Sequence, residues 1–560
     1  MEMIGRFVRF WKDNVLLGVI LISAAGLRLW SLDFGLPFRY HIDEPAYVVA
    51  ALKIAQGNLH LIYPPLSPSF QQLVYLSLYG VLFLAGLVRG EINSPLEFSQ
   101  TYQLDPSAFY LLARGVSVIC SLAAIVVLFL LVRRLRDRTT ALLAALILAV
   151  CFLDVRHAHF VEPYSMLTLF VLLAVYFAHK YIADGEMRYL LFSGLITGLA
   201  IGVRISMASL VFVPLYAAVF WWFSSSQPRK WILLLKNLAI LGVTGIVGLL
   251  IGVPGLIVNF SNTLDAILGQ SALAAGDRGF YGLVFSELPT WQFYLVILEF
   301  ALGIPLLIAI FLGVVRQLWM HRIQDILFAI FPLTFAMILL TASASSSAFA
   351  RYLIPVLPFL AYLGADGIVW LGGAILQNRS PVIRRLGVFA GVLLLIAIPL
   401  LRSVRLDYLW TRLDTRTQAK QWIESNIPED SHLAIQWHGP PLSTLDDPEP
   451  KSERTYQLKE LYPFDKNPDF YNLDVYRQNG DEYLILNSTI YNLKMSDPIV
   501  EARRVAFYQS VESQAELLAE FKPYPNSKEP PFIFEQIWGP INNLFDRTQP
   551  GPTIKIFRIQ

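Results

Sequence analysis

Through most of this chain apolar residues run on without alternating with polar ones. A stretch that is hydrophobic on every side reads as a helix surrounded by lipid or by other helices. The pattern predicts about eleven bilayer spans, at roughly 15–32, 109–132, 139–153, 163–180, 189–204, 207–223, 232–252, 292–315, 325–342, 351–376 and 386–401. After Leu401 the pattern changes to that of a water-soluble fold, charged and punctuated by proline. Helices are predicted at Thr417–Asn426 and Val500–Glu520, strands at Leu433–Trp437, Tyr483–Asn487 and Thr553–Ile559, and a loop at Asp446–Lys451. The expected fold class is a polytopic α-helical membrane protein, residues 1–401, followed by a C-terminal α/β domain, residues 402–560.

Composition agrees with a bilayer as the main solvent: 55% of the 560 residues are hydrophobic and 15% are charged. A net charge of +2, with no basic run interleaved with aromatics, excludes a nucleic-acid partner. The two cysteines, Cys120 and Cys151, both lie in apolar runs and read as reduced core residues. The basic residues settle topology. Arg6, Arg9 and Lys12, then Arg133–Arg138, Lys180 and Arg188, Arg229 and Lys230, Arg316 and Arg322, and Arg379, Arg384 and Arg385 fall in loops on one side, which the positive-inside rule makes cytoplasmic. The N-terminus is then cytoplasmic and retained as a span, and an odd number of spans makes the C-terminal domain extracytoplasmic. Phe70–Val88 is apolar enough to cross. Crossing would place every later basic loop outside, so it is read as an interfacial or partly embedded helix within the first outer loop, about 33–108.

The unusual polar residues gather in the outer loops. Asp43 and Glu44 are adjacent carboxylates at the mouth of the first span, and consecutive residues do not share a face. One can enter a site while the other orients the loop or holds a metal; complementation of a helix dipole is the structural alternative. Asp43 is the candidate general base. In LDVRHAHFVEPYS, Asp154, Arg156, His157, His159 and Glu162 lie within nine positions. The i, i+2 histidines could ligate a metal from an extended strand, or the segment could be a loop touching headgroups, with Glu162 capping the next helix. Arg204 interrupts an apolar run near the outer surface, where a cation suits a phosphate or snorkels to headgroups. Arg351 and Tyr352 at another outer mouth carry the same two readings.

Taken in order, these motifs resemble the GT-C glycosyltransferases, in particular the dolichyl-phosphate-mannose–protein mannosyltransferases and the lipid A aminoarabinose transferases. The resemblance rests on Asp43-Glu44 after the first span, Tyr63-Pro64-Pro65-Leu66, Arg114 opening the span that ends at Arg133–Arg138, AHFVEPYSMLTLFVLL, GLAIGVR and RYLIPVLP. It covers most of residues 15–400. It implies inverting transfer of a hexosyl or pentosyl group from a polyprenyl-phosphate sugar to an acceptor protein, lipid or glycan at the outer leaflet of a plasma membrane. Asp43 would be the catalytic base, with Glu44 beside it. Glu162 would be the second acidic position, and Arg204 the donor-phosphate contact. Tyr63 stands where a His or a charged residue is common, and Glu162 where Asp is usual. Substrate contacts are expected from Arg156, His157, His159, Tyr63, Arg351 and Tyr352 as well. A divalent metal is a candidate cofactor, with Glu44, His157 and His159 as candidate ligands. The alternative is a polyprenyl-linked lipid flippase or transporter, which would place its polar groups near the bilayer midplane. The Trp-Trp-Asp-Tyr-Gly signature expected of oligosaccharyltransferases is missing.

Overall fold

Each of the expected apolar runs folds as helix, and the breaks between helices fall where a backbone donor or a side-chain cap ends the hydrogen-bond ladder. The computed structural model describes residues 14–59, 68–224, 231–274, 283–284, 286–320, 323–342, 348–376, 378–444, 451–462, 468–525 and 528–560. Among the described residues seven helices are long and apolar enough to cross a bilayer, or up to nine if each of two bent pairs is one span. The expected count of eleven is not reached on that criterion, because Val15–Leu29, Met187–Val203 and Ile326–Leu340 are apolar but short. The chain is a polytopic α-helical membrane protein with a C-terminal region built on strands.

Two expected spans are not straight. Arg138–Val150, capped by the Asp137 side chain on the Thr140 N–H, bends by 58° into Phe152–Ala158. Residues 154–158, expected in an outer loop, therefore belong to a helix, Phe152–Ala158, and every residue of it is buried. Thr290–Leu302 turns by 109° into Ile304–Met320 at Gly303, whose φ of +77° is open to glycine at little cost. The helix Phe70–Arg89 is one of the seven. It is inside out for a soluble helix: Gln71 and Gln72 face inward while Val81 and Val88 are exposed, a pattern suited to lipid on the outer face. Its start is a capping box between Ser69 and Gln72.

Backbone-to-backbone packing holds the bundle where small residues allow it. A Cβ on Gly198 would lie 1.9 Å from the Gly245 carbonyl, so Met187–Val203 and Trp231–Gly252 touch main chain to main chain. A polar cluster crosses the core as well. Arg28 donates to Asp154 Oδ2 at 2.5 Å and to Ser121 Oγ at 2.7 Å, and to the Ala149 carbonyl at the end of a neighbouring helix.

The helix Pro381–Trp410 runs through the expected boundary at 401 and delivers the chain to a five-stranded sheet. Its order is Gln457–Leu461, His432–Gln436, Tyr483–Asn487, Ile554–Arg558, Glu516–Phe521; the first two neighbouring pairs are parallel and the last two antiparallel. Alternate residues serve two cores. Leu433, Ile435, Ile485, Ile554 and Ile556 pack on the helix Thr415–Asn426, whereas Ala434, Leu484, Leu486 and Phe557 meet Phe507 and Val511 of Pro498–Gln514. The predicted helix Val500–Glu520 is corrected at its end. Glu516–Phe521 pairs with Ile554–Arg558 as an edge strand, because sheet pairing outweighs the helical propensity of ELLAEF. Of the loop predicted at Asp446–Lys451, only Lys451 lies within the described residues.

Candidate functional site

Asp43 and Glu44 part at a helix start. Pro45 opens the helix Glu44–Ala55 and Asp43 precedes it with an αR backbone, but the Asp43 side chain makes no capping bond. Glu44 turns into the protein and is fully buried. Its Oε1 accepts from Arg114 Nε and from the Val161 N–H, both at 2.9 Å, and its Oε2 accepts from Arg114 Nη2 at 2.7 Å. Arg114 also donates to the Leu32 and Phe34 carbonyls. Glu44 thus ties the first loop to the helix Ser107–Leu135.

Asp43 faces the other way. Its Oδ2 accepts from Arg351 Nη1 at 2.5 Å and from the Trp538 indole N–H at 2.8 Å. The same Arg351 nitrogen donates to Glu162 Oε1 at 2.8 Å, so one guanidinium bridges two carboxylates. Arg351 stands at the start of a short 3-10 turn, Ala350–Val356, that leads into Leu357–Ile375. Glu162 sits just ahead of Pro163, which caps Tyr164–Asp184. Burial opposes the charge on Glu162, but Arg351 and the His157 ring outweigh it and hold the carboxyl well below the usual range. His157 Nδ1 lies 2.9 Å from Glu162 Oε2.

The expected metal ligands do not converge. His157 lies on the helix Phe152–Ala158 and His159 just beyond it, so the i, i+2 spacing does not act on a strand. His159 contacts the Val155 and Trp30 carbonyls through its two ring nitrogens, His157 holds Glu162, and both Glu44 oxygens are on Arg114. Among the described residues no group of three or more His, Cys, Asp or Glu side chains is arranged to hold a metal ion. Arg156 is committed too: it donates to the carbonyls of Glu535, Gly539 and Pro540, each at 3.1 Å.

Arg204 differs from Arg114 and Arg351, which hold carboxylates, and from Arg156, which is taken up by three backbone carbonyls. It follows Met187–Val203 in an extended conformation and, among the described residues, has no carboxylate within ion-pair distance. Its guanidinium stands 5.2 Å from the Tyr164 ring centroid and 5.3 Å from that of Tyr352, and it donates to the Tyr352 hydroxyl at 3.3 Å. Beside it, Tyr164 Oη and Arg351 Nε are buried and have no hydrogen-bond partner among the described residues. These two unsatisfied donors flank the half-buried Arg204 guanidinium.

Below Arg351 and Tyr352 opens an apolar cavity of about 900 Å³. Leu353 and Val356 line it near the site; Ala336 and Leu340 of Ile323–Ala342 and Leu298 and Leu318 of the bent pair form other walls. The 109° bend at Gly303 gives the cavity that last wall.

Sequence reasoning missed the contribution of the C-terminal domain. Trp538 and Glu535 come from the short turn Phe534–Trp538, and Glu535 Oε1 accepts the Ala350 N–H at 2.6 Å. No local pattern marks these residues, since their partners are hundreds of positions away. His41, buried 4.2 Å from the Phe160 ring centroid, was likewise unmarked. Tyr63, with Pro64 and Pro65, lies outside the described residues.

Residues 111–257 match the family described as dolichyl-phosphate-mannose-protein mannosyltransferase. No curated protein matches the chain. Among solved structures, ArnT from Cupriavidus metallidurans bound to undecaprenyl phosphate is similar at 13% identity and a TM-score of 0.48, over 98% of each chain. The Archaeoglobus fulgidus oligosaccharyltransferase tethered with an acceptor peptide is similar at 13% identity and a TM-score of 0.47, over 93% of this chain and 74% of that one. The arabinofuranosyltransferase AftD from Mycobacteria is similar at 14% identity and a TM-score of 0.40, over 96% of this chain and 41% of that one. All three are GT-C glycosyltransferases.

Proposed function

We propose that this chain is an inverting glycosyltransferase that moves a sugar from a polyprenyl-phosphate donor to an acceptor hydroxyl at the extracytoplasmic face of the membrane. The observation that carries the reading is Arg204, a half-buried guanidinium held by two tyrosines with, among the described residues, no carboxylate to neutralise it. Such a cation suits a phosphoryl oxygen, and the unpartnered Tyr164 Oη and Arg351 Nε can serve further oxygens of the same group. The apolar cavity under Leu353 and Val356 suits the first isoprene units of the donor. The match of residues 111–257 to a mannosyltransferase family supports the same chemistry.

In the proposed step Asp43 takes the proton of the acceptor hydroxyl while that oxygen bonds to the anomeric carbon. The bond from that carbon to the phosphate oxygen breaks, and its electron pair leaves on the phosphate beside Arg204. Polyprenyl phosphate is the second product. Arg351 lies between Asp43 and Glu162 and offers both carboxylates one guanidinium. Glu44 acts on the loop through Arg114 and is assigned to support, and its neighbour Asp43 to the chemistry. The N-terminus would then be cytoplasmic and the sheet domain outside. The acceptor would be a protein, lipid or glycan whose hydroxyl reaches Asp43.

The test is purified protein in lipid with a panel of polyprenyl-phosphate sugars, wild type beside Asp43→Asn. Removal of a general base predicts a fall in turnover of about 10²- to 10⁴-fold with donor binding retained. Undiminished turnover in Asp43→Asn would remove that residue from the mechanism. Lipid translocation without sugar release from any donor would replace the transferase reading with a flippase.

A further inference from the structure

We infer that Trp538 of the C-terminal domain is a positioning residue for Asp43, selecting the carboxylate oxygen that receives the acceptor proton; this rests on Asp43 being the base. Both donors that reach Asp43, Arg351 Nη1 and Trp538 Nε1, land on Oδ2. Among the described residues Oδ1 has no protein donor. A carboxylate whose one oxygen carries two hydrogen bonds no longer turns freely about its Cβ–Cγ bond, and its lone pairs for a new proton are those of the other oxygen.

The donor itself is held firmly. Trp538 is 6% exposed, and its ring lies against Phe349 and Phe534 at centroid distances of 5.6 and 5.3 Å. The Arg351 guanidinium stands 4.6 Å from the ring centroid, so the indole fixes both Asp43 and the cation that shares it. The turn that carries it is pinned at both ends, by the Glu535 acceptance from Ala350 and by the three carbonyl bonds of Arg156. Gly539 follows with φ of +117°, a conformation that side chains disfavour, and this lets the chain turn back directly after Trp538. A buried indole needs an acceptor, and the side chain it finds is the proposed base. The sheet domain is thereby part of the site: without it Asp43 would keep only Arg351.

The test is a kinetic split in the full-length protein. Trp538→Phe keeps a ring against Arg351, Phe349 and Phe534 but removes the N–H. The proposal expects kcat to fall about 10- to 100-fold, the scale of one hydrogen bond to a charged group, with donor KM within about twofold of wild type. A second variant with benzothienylalanine at position 538 replaces the N–H by sulfur at nearly the same shape, and should show the same loss if Trp538→Phe folds poorly. Wild-type kcat in both variants, with Asp43→Asn inactive, would overturn the proposal and leave the base assignment standing. Full activity of Asp43→Asn would overturn both. A rise in donor KM at unchanged kcat would make Trp538 a packing residue and also overturn it.

Discussion

Arg114 grips Glu44 with two hydrogen bonds of 2.9 and 2.7 Å in a place from which water is excluded, while Asp43, the preceding residue, answers to a different cation 308 positions away. The adjacent carboxylates thus do different work. Breaking the buried pair by Glu44→Ala leaves Arg114 uncompensated, and the expected cost is about 3–5 kcal/mol of stability. Thermal unfolding in lipid checks it. Asp43→Asn, tested beside it, is expected to unfold within a degree or two of wild type, because a neutral amide at that partly exposed position still accepts from Trp538.

Among the described residues Arg204 has no ion pair to lose, so its removal is expected to act on the donor and leave folding intact. Arg204→Met should weaken binding of polyprenyl phosphate by about 10- to 100-fold. Arg204→Lys should recover only part, since an ammonium cannot present two parallel donors. Titration of each variant with polyprenyl phosphate in detergent measures this, and equal affinity in all three proteins would take the phosphate away from Arg204.

If the apolar cavity holds the prenyl chain, filling it should discriminate between long and short donors. Ala336→Trp places a large ring in the lining and is expected to cost long-chain donors about tenfold in KM, the equivalent of about two buried methylenes. A donor with a tail too short to reach Ala336 should be turned over as before. Equal effects on both would place the chain elsewhere.

His41 is buried with neither ring nitrogen bonded among the described residues, and burial pushes its imidazole well below the ordinary value. The neutral ring is therefore favoured in the fold, and the unfolded chain takes up the proton first as pH falls. Its contribution to stability is full above about pH 6.5 and is lost in acid with a slope of up to about 1.4 kcal/mol per pH unit. His41→Phe cannot titrate. The stability of wild type relative to this variant should decline from pH 7.5 to 5.5, and melting curves at the two pH values report it.

The close helix pair gives a packing prediction. Gly198→Ala would press a methyl on the Gly245 carbonyl and should cost about 1–3 kcal/mol. Gly242→Ala, on the partner helix with nothing within 4 Å of its Cβ, should be neutral or slightly stabilising. Parallel thermal melts of the two variants separate local packing from a general effect of bulk.

The amino-acid sequence by itself determined the membrane class, the positions of the long apolar helices and three of the five strands of the C-terminal sheet, because these follow from local properties. A run of apolar residues seeks lipid or other helices wherever it lies, and Tyr483–Asn487 reads as a strand from its own side chains. It also brought out Asp43, Glu162, Arg204, Arg351 and Tyr352, since charge near a span is costly and therefore conspicuous. What it could not settle was how those charges pair. The separation of Asp43 from Glu44 and the hold of the Trp30 carbonyl on His159 depend on contacts between distant segments. Trp538 is the extreme case, 495 positions from Asp43. Its hydrogen bond exists only because the sheet domain folds back onto the helices, and no periodicity in either segment encodes that meeting.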